Sequence, residues 1–255
     1  MLLAGSLLPG GARAGNADAQ YTISLAGFSI GKASLSAELN GASYNLNVSA
    51  ALTGLAGAIS GGRGAATARG TIGGNGVLTN GFSLSASNGK ESRVVQIGAA
   101  SGSVRSVSIE PPFVIQEGEN RIPIRDSHKI GVTDPASALI MPARAGDPLD
   151  KANCERRLSI FDGTQRFDVV LSFAGIQQVK GEKGYSGPAL VCAARYVPVA
   201  GHRPDRRVTK FMAENREMSA WLVPVNGGKA LIPYRISVKT LIGTTVIEAE
   251  RFNPG

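Results

Sequence analysis

The sequence predicts a mostly β protein: one large antiparallel barrel or strongly curled sheet carrying one or two short helices. Three observations lead there. Apolar and polar residues alternate with period two along most of the 255 residues. Asn-Gly pairs recur between the alternating runs, and they favour the tight turns of β-hairpins. The chain holds 33 glycines and 13 prolines with 43% apolar residues, a composition that suits many short strands around a real core and argues against disorder.

The elements can be justified in order. Tyr21, Ile23 and Leu25 share one face, followed by Ala33, Leu35, Ala37 and Leu39, then Tyr44, Leu46, Val48, Ala50 and Leu52. Asn40-Gly41 separates the last two runs, so the opening reads as a β-meander. Residues 53–64 break the alternation and read as a helical turn or a mobile loop. Strands resume near 65–73, 77–87, 90–98 and 103–110, punctuated by Asn75-Gly76, Asn80-Gly81 and Asn88-Gly89. Residues 111–132, with Pro111, Pro112, Pro123 and many charges, predict an excursion away from the sheet. Asp134 can then cap a short helix over 135–141, with Pro135 at its first position and Pro142 ending it. Leu139, Ile140 and Met141 would plug a core. Phe167, Val169, Leu171 and Phe173 open the second set of strands, which continues at 188–198, 217–225, 230–240 and 244–252. A second short helix fits within 205–216. The sets led by Tyr21, Tyr44 and Phe167 are expected to face one shared core, partly filled, with a modest apolar pocket at one mouth.

Residues 1–14, MLLAGSLLPGGARA, read as the later part of a secretory signal. Leu2, Leu3, Leu7 and Leu8 form an apolar run too short to span a bilayer, and Ala12-Arg13-Ala14 fits a small-x-small cleavage site. No Lys or Arg precedes the run, which leaves room for a start codon further upstream. Residues 15–255 then form one domain outside the cytoplasm. Cys154 and Cys192 are the only cysteines, 38 residues apart (192 − 154). In an oxidising compartment such a pair is expected to bridge, two buried thiols being the other reading. A metal site is disfavoured, since two cysteines with no nearby His fill half of a tetrahedral shell.

Lys and Arg outnumber Asp and Glu by 27 to 19. That surplus suits anionic partners such as lipid headgroups, lipopolysaccharide or acidic wall polymers, and it also serves plain solubility. Nucleic acid is excluded as a partner for a secreted chain.

Several stretches together resemble the DUF3108 family, a domain of unknown function. They are Gly27-Phe28-Ser29-Ile30-Gly31-Lys32, Thr133-Asp134-Pro135-Ala136-Ser137-Ala138-Leu139, Phe161-Asp162-Gly163-Thr164-Gln165-Arg166, Trp221-Leu222-Val223-Pro224, Ile232-Pro233-Tyr234-Arg235-Ile236, and Gly243. The resemblance implies a periplasmic, β-rich barrel of Gram-negative bacteria and carries no catalytic residues over. At the level of fold analogy only, the chain is also similar to curled-sheet periplasmic proteins that support envelope integrity and to lipoprotein carriers with an apolar interior.

Five local patterns remain to be weighed. Gly27-Phe28-Ser29-Ile30-Gly31 matches the G-x-S-x-G nucleophile elbow, which needs a helix after the serine, whereas Ala33, Leu35 and Ala37 continue a strand. His128 and His202 each have an acidic neighbour in sequence, lack metal-ligand spacing and fit loop-bracing roles. Asp162-Gly163 suits a tight turn, with a ligand-facing Asp162, near Arg166, as the functional alternative. His202, Arg203, Arg206, Arg207 and Lys210 form a basic stretch able to meet anionic headgroups. Asn226-Gly227-Gly228-Lys229 lacks the flanking residues of a phosphate loop. The sequence therefore points to a non-enzymatic periplasmic envelope protein that binds a lipid, an anionic polymer or an envelope protein, with no cofactor. The alternatives are a hydrolase of a wall or lipid substrate, using Ser29, His128 or His202, and an outer-membrane barrel. The ending Phe252-Asn253-Pro254-Gly255 and the single Trp supply little for the aromatic girdles of the latter.

Overall fold

The computed structural model describes residues 15–255 apart from Asn75, Ala145 and Glu182, so the signal reading of residues 1–14 lies outside the described residues. Strands β1 (Gly15–Leu25), β2 (Phe28–Asn40), β3 (Ser43–Leu52), β4 (Arg63–Gly73), β5 (Gly76–Ser87), β6 (Ser92–Ala100) and β7 (Ser103–Glu110) come first. After a long excursion follow β8 (Met141–Pro142), β9 (Arg157–Phe161), β10 (Arg166–Lys180), β11 (Lys183–Gly184) and β12 (Ser186–Ala200). Strands β13 (Met218–Val225), β14 (Ala230–Thr240) and β15 (Gly243–Asn253) close the chain. The helices are α1 (Gly54–Ser60) and α2 (Arg207–Glu214). The strand periods read from sequence thus match the elements to within a few residues. The Asn40-Gly41 turn forms as expected, Gly41 taking the positive φ of 59° that the β2–β3 hairpin requires.

All strands belong to one sheet, ordered β7-β6-β5-β4-β3-β2-β1-β15-β14-β13-β12-β10-β9 and antiparallel along that path, with β11 beside β15 and β8 beside β14. Neighbours in sequence pair almost throughout, which is the outcome short turns favour. The sheet curls but does not close, so of the two architectures the curled sheet is the one formed. Its free edges, β7 and β9, are spanned by a short stretch of the excursion. Gly131 N–H donates to Gly102 O at 2.7 Å, Thr133 N–H to Ser159 O at 2.8 Å, and Phe161 N–H to Thr133 O at 2.9 Å.

The inner face of the curl holds Tyr21, Leu35, Leu39, Tyr44, Leu46, Phe82, Val95, Ile97, Phe161, Ile232 and Phe252. The opposite face of β2–β6 carries exposed Lys32, Ser34, Asn45, Asn47, Thr67, Arg69 and Gln96. Apolar-in, polar-out is the reverse of a membrane barrel's alternation. No helix among the described residues is long and apolar enough to cross a membrane.

Two expectations need correction. The Phe167 set does not share the first core: Val169 and Leu171 belong to a second cluster with Leu190, Cys192, Leu222 and Leu231, Phe167 stacks near Tyr196, and Phe173 is 43% exposed. On β12–β14 the neighbours Ala189, Val223 and Ile232 face the first core, so this part of the sheet is buried on both faces. The physical reason is the excursion, which returns over the outer face and covers it with Met141, Leu149 and Cys154. The predicted 135–141 helix contracts to one 3-10 turn at Ser137–Leu139. The cap position passes to Ala136, and Asp134 instead braces the turn from two residues before that cap, accepting from the N–H groups of Ala136 at 2.9 Å and Ser137 at 2.8 Å. Ile140 is then drawn into extended backbone and Met141 into β8, where pairing with β14 outcompetes further helix. The turn does lie against the core, through Ala136 and Ile140.

Candidate functional site

The disulfide builds the site's roof. Cys154 and Cys192 are bridged, with Cα atoms 5.3 Å apart, tying the excursion to β12. Inside the roof, Asn153 accepts from Arg144 N–H at 2.7 Å and donates to the carbonyls of Asp147 and Pro148, so the chain between Pro142 and Cys154 is cross-braced. At its other end Asp134, Thr79, Ser137 and Tyr44 form a buried network. Thr79 Oγ1 donates to Asp134 Oδ2 at 2.6 Å, and Tyr44 Oη donates to Ser137 Oγ at 2.6 Å. Burial, with a smaller contribution from the nearby Asp134 charge, pushes the Tyr44 phenol up to about 12, against hydrogen bonds from Ser137 and Thr79 that pull the other way. That hydroxyl is therefore a neutral structural donor.

Between this roof and the sheet lies an apolar cavity of about 200 Å³. The roof contributes Pro135, Ala138, Leu139 and Met141. The floor is made by Leu158 and Ile160 of β9, Val169 and Leu171 of β10, Ala220 and Leu222 of β13, and Ile236 and Val238 of β14. It is about the volume of seven water molecules, and with almost no polar lining it favours an alkyl or aryl group over water. The sequence flagged Leu139 and Met141 as a plug. It did not flag Ala220 or Ile236 on the floor, because nothing local says that the outer face of β13 and β14 will be covered.

The residues singled out from sequence sit elsewhere. Asp162 closes the β9–β10 turn, accepting from Thr164 N–H, Thr164 Oγ1 and Gln165 N–H at 2.7–2.9 Å. Arg166 pairs with Asp168 at 2.6 Å and donates to Phe167 O. Asp168 also takes Arg157 and Ser159. Burial raises the Asp168 carboxyl, but the hydrogen bonds from Arg157 and Arg166 outweigh it and hold it below the usual carboxylate range. His202 is 8% exposed, with its Nδ1 unpartnered among the described residues. Burial holds the imidazole below its ordinary range, only partly offset by a hydrogen bond to the Ala200 backbone. Arg203 pairs with Glu119 at 3.0 Å, and Glu119 also binds Arg121 at 2.6 Å. Gly201 N–H donates to Ile122 O, and Ile122 N–H to His202 O. This cluster therefore straps the excursion to the end of β12. Arg206, Arg207 and Lys210, at the start of α2, stay exposed. His128 accepts Arg125 N–H at 3.1 Å within the 3-10 turn Asp126–Lys129. Ser29 is the second residue of β2, which runs on as a strand to Asn40, so the strand–turn–helix geometry of a nucleophile elbow does not form.

Comparison with known proteins adds a family and a fold. No curated protein matches the chain. Among solved structures, the chain is similar to the crystal structure of a beta-barrel-like protein of domain of unknown function DUF1849 from Brucella abortus. The TM-score is 0.50 at 8% sequence identity, covering 96% of this chain and 100% of that one. A likeness at that identity speaks to fold alone. The family model for DUF3108, described as protein of unknown function, matches residues 20–250, which is most of the chain and includes the stretches that form the roof, the β9–β10 turn and the floor. The chain belongs to the DUF3108 family.

Proposed function

We propose that this protein is a non-enzymatic binding module of the bacterial envelope, exported to the periplasm by the segment around residues 1–14, and that its cavity takes the apolar chain of an envelope molecule. The observation carrying this reading is the apolar cavity of about 200 Å³ kept open beneath Leu139 and Met141, in a roof held by a disulfide and a buried hydrogen-bond network. A merely structural cover would be expected to collapse onto its floor, since interiors pack to near-crystalline density. Apolar pockets with few polar groups are the usual form of small-ligand sites. The exposed Arg206, Arg207 and Lys210 supply a separate positive surface suited to anionic polymer or headgroups.

The neutral probe N-phenyl-1-naphthylamine tests the reading. It should bind the native protein saturably at one site per chain, and Ala220→Phe, which fills the floor, should abolish binding with an unchanged circular dichroism spectrum. Fluorescence that appears only in partly denaturing urea, or an Ala220→Phe protein that binds as well as the parent, would refute it.

A further inference from the structure

A second cavity of about 460 Å³ adjoins the first, sharing Ala138, Met141 and Leu158 as common wall. Its own lining differs in one respect: it carries three arginines, Arg144, Arg156 and Arg157, beside the small residues Gly73, Gly74 and Gly76. Arg157 pairs with Asp168 at 2.6 Å, a carboxylate it shares with Arg166. Among the described residues, neither Arg144 nor Arg156 has a carboxylate within ion-pair distance. Arg156 is only 6% exposed. Its Nη2 donates to Pro142 O at 2.5 Å and Asn153 Oδ1 at 2.7 Å, leaving Nε buried and unpartnered. Among the described residues, the Arg144 guanidinium makes one long bond, to Glu155 O at 3.3 Å.

A buried guanidinium without a counter-charge is a costly feature, because the charge loses its hydration and gains no opposite charge in return. The electrostatics agree: burial first, then the neighbouring Arg144 charge, depress Arg156 to about 10. Two arginines thus stand together on one cavity wall, and one of them is buried with an Nε that has no partner among the described residues. The forked donors of guanidinium match carboxylate or phosphate oxygens. The adjoining apolar space has no use for such a head, but it has room for a tail. Singly the apolar cavity is smaller than the roughly 300–1,000 Å³ of typical ligand sites, and with its neighbour it falls inside that range.

We infer that the two cavities form one site for an anionic amphiphile, with Arg156 and Arg144 holding a carboxylate or phosphate head and the space between Leu139, Leu171 and Ala220 taking the alkyl tail. This deepens the binding reading above and rests on it. Calorimetry at pH 7.5 with octanoate, octyl phosphate and octan-1-ol separates the two. At least one of the acids should bind tenfold or more tightly than the alcohol, and the stronger of them identifies the head. Arg144→Met and Arg156→Met should each reduce that preference to less than threefold while N-phenyl-1-naphthylamine still binds. Arg156→Lys, which keeps a positive charge should the Met variant fail to fold, should retain part of the preference. Equal affinity for acids and alcohol overturns the inference but leaves the apolar site standing. No binding of any of the three, together with no probe binding, overturns both. A preference for acids that survives in both methionine variants would also refute the assignment of the head to these arginines.

Discussion

Removing the bridge between Cys154 and Cys192 is the perturbation whose size the structure sets most directly. The bond closes a loop of 38 residues. In the chain-entropy treatment that constraint is worth about 4 kcal/mol at 25 °C, about a thousandfold in the folding equilibrium. Both sulfurs are fully buried in the second core, against Leu190, Leu222 and Leu231, so Cys154→Ala with Cys192→Ala also leaves a small void that adds to the loss. With a urea m-value of about 3 kcal/mol/M, the midpoint should fall by roughly 1.3 M or more. Equilibrium urea unfolding followed by far-ultraviolet circular dichroism, on the parent with and without reductant and on the double variant, measures it. The roof over the apolar cavity is held by the same bond, so probe affinity should weaken in the double variant under conditions where it is still folded. A midpoint shift under 0.3 M would mean that the excursion packs on β12–β14 just as firmly without the bond, and the account of the bridge as the roof's anchor would be wrong.

Two further outcomes follow from buried charges. Asp168→Asn should cost about 2–3 kcal/mol, because it strands Arg166, whose side chain is only 11% exposed, while the more solvated Arg157 loses little. Since the native carboxyl titrates below its unfolded value near 3.9, its stabilisation is complete above that pH and is lost as pH falls through the lower native value. The variant's stability curve should therefore be flatter than the parent's below about pH 4, and parallel curves would refute the pairing. For His202 the unfolded chain takes up a proton near 6.5 while the buried native imidazole resists it, so stability should decline as pH drops below about 6.5. Thermal melts between pH 8 and 5.5 should show that decline in the parent and a smaller one in His202→Gln, and identical slopes would refute the burial argument.

Period-two alternation and turn chemistry are local properties, and they were legible. The β2–β3 hairpin follows from Tyr44, Leu46 and Val48 alternating with Asn45, Asn47 and Ser49 after Asn40-Gly41, without reference to anything distant. The Cys154–Cys192 bridge was legible as well, because the chain offers one pairing. What local pattern could not decide was which faces would be covered. Leu190, Leu222 and Leu231 sit on the face opposite Ala189, Val223 and Ile232, and both faces are apolar, so alternation does not say that a loop from residues 134–156 will return to bury the outer one. The same limit applies to the 135–141 segment, where capping and helix propensity were outweighed by strand pairing of Met141 and Pro142 with Leu231 and Ala230. It applies to the site: Asp162, Arg166 and His202 find internal partners or burial, while Arg156, unremarkable in sequence beside Arg157, is left buried without an acid among the described residues. The sequence by itself determined the strands, their turns and the disulfide, since each depends on residues a few positions apart or on a single possible pair. The tertiary structure alone decided the open curl, the doubly buried wall and the paired cavities, since these depend on which surfaces compete for burial once the chain has folded back on itself.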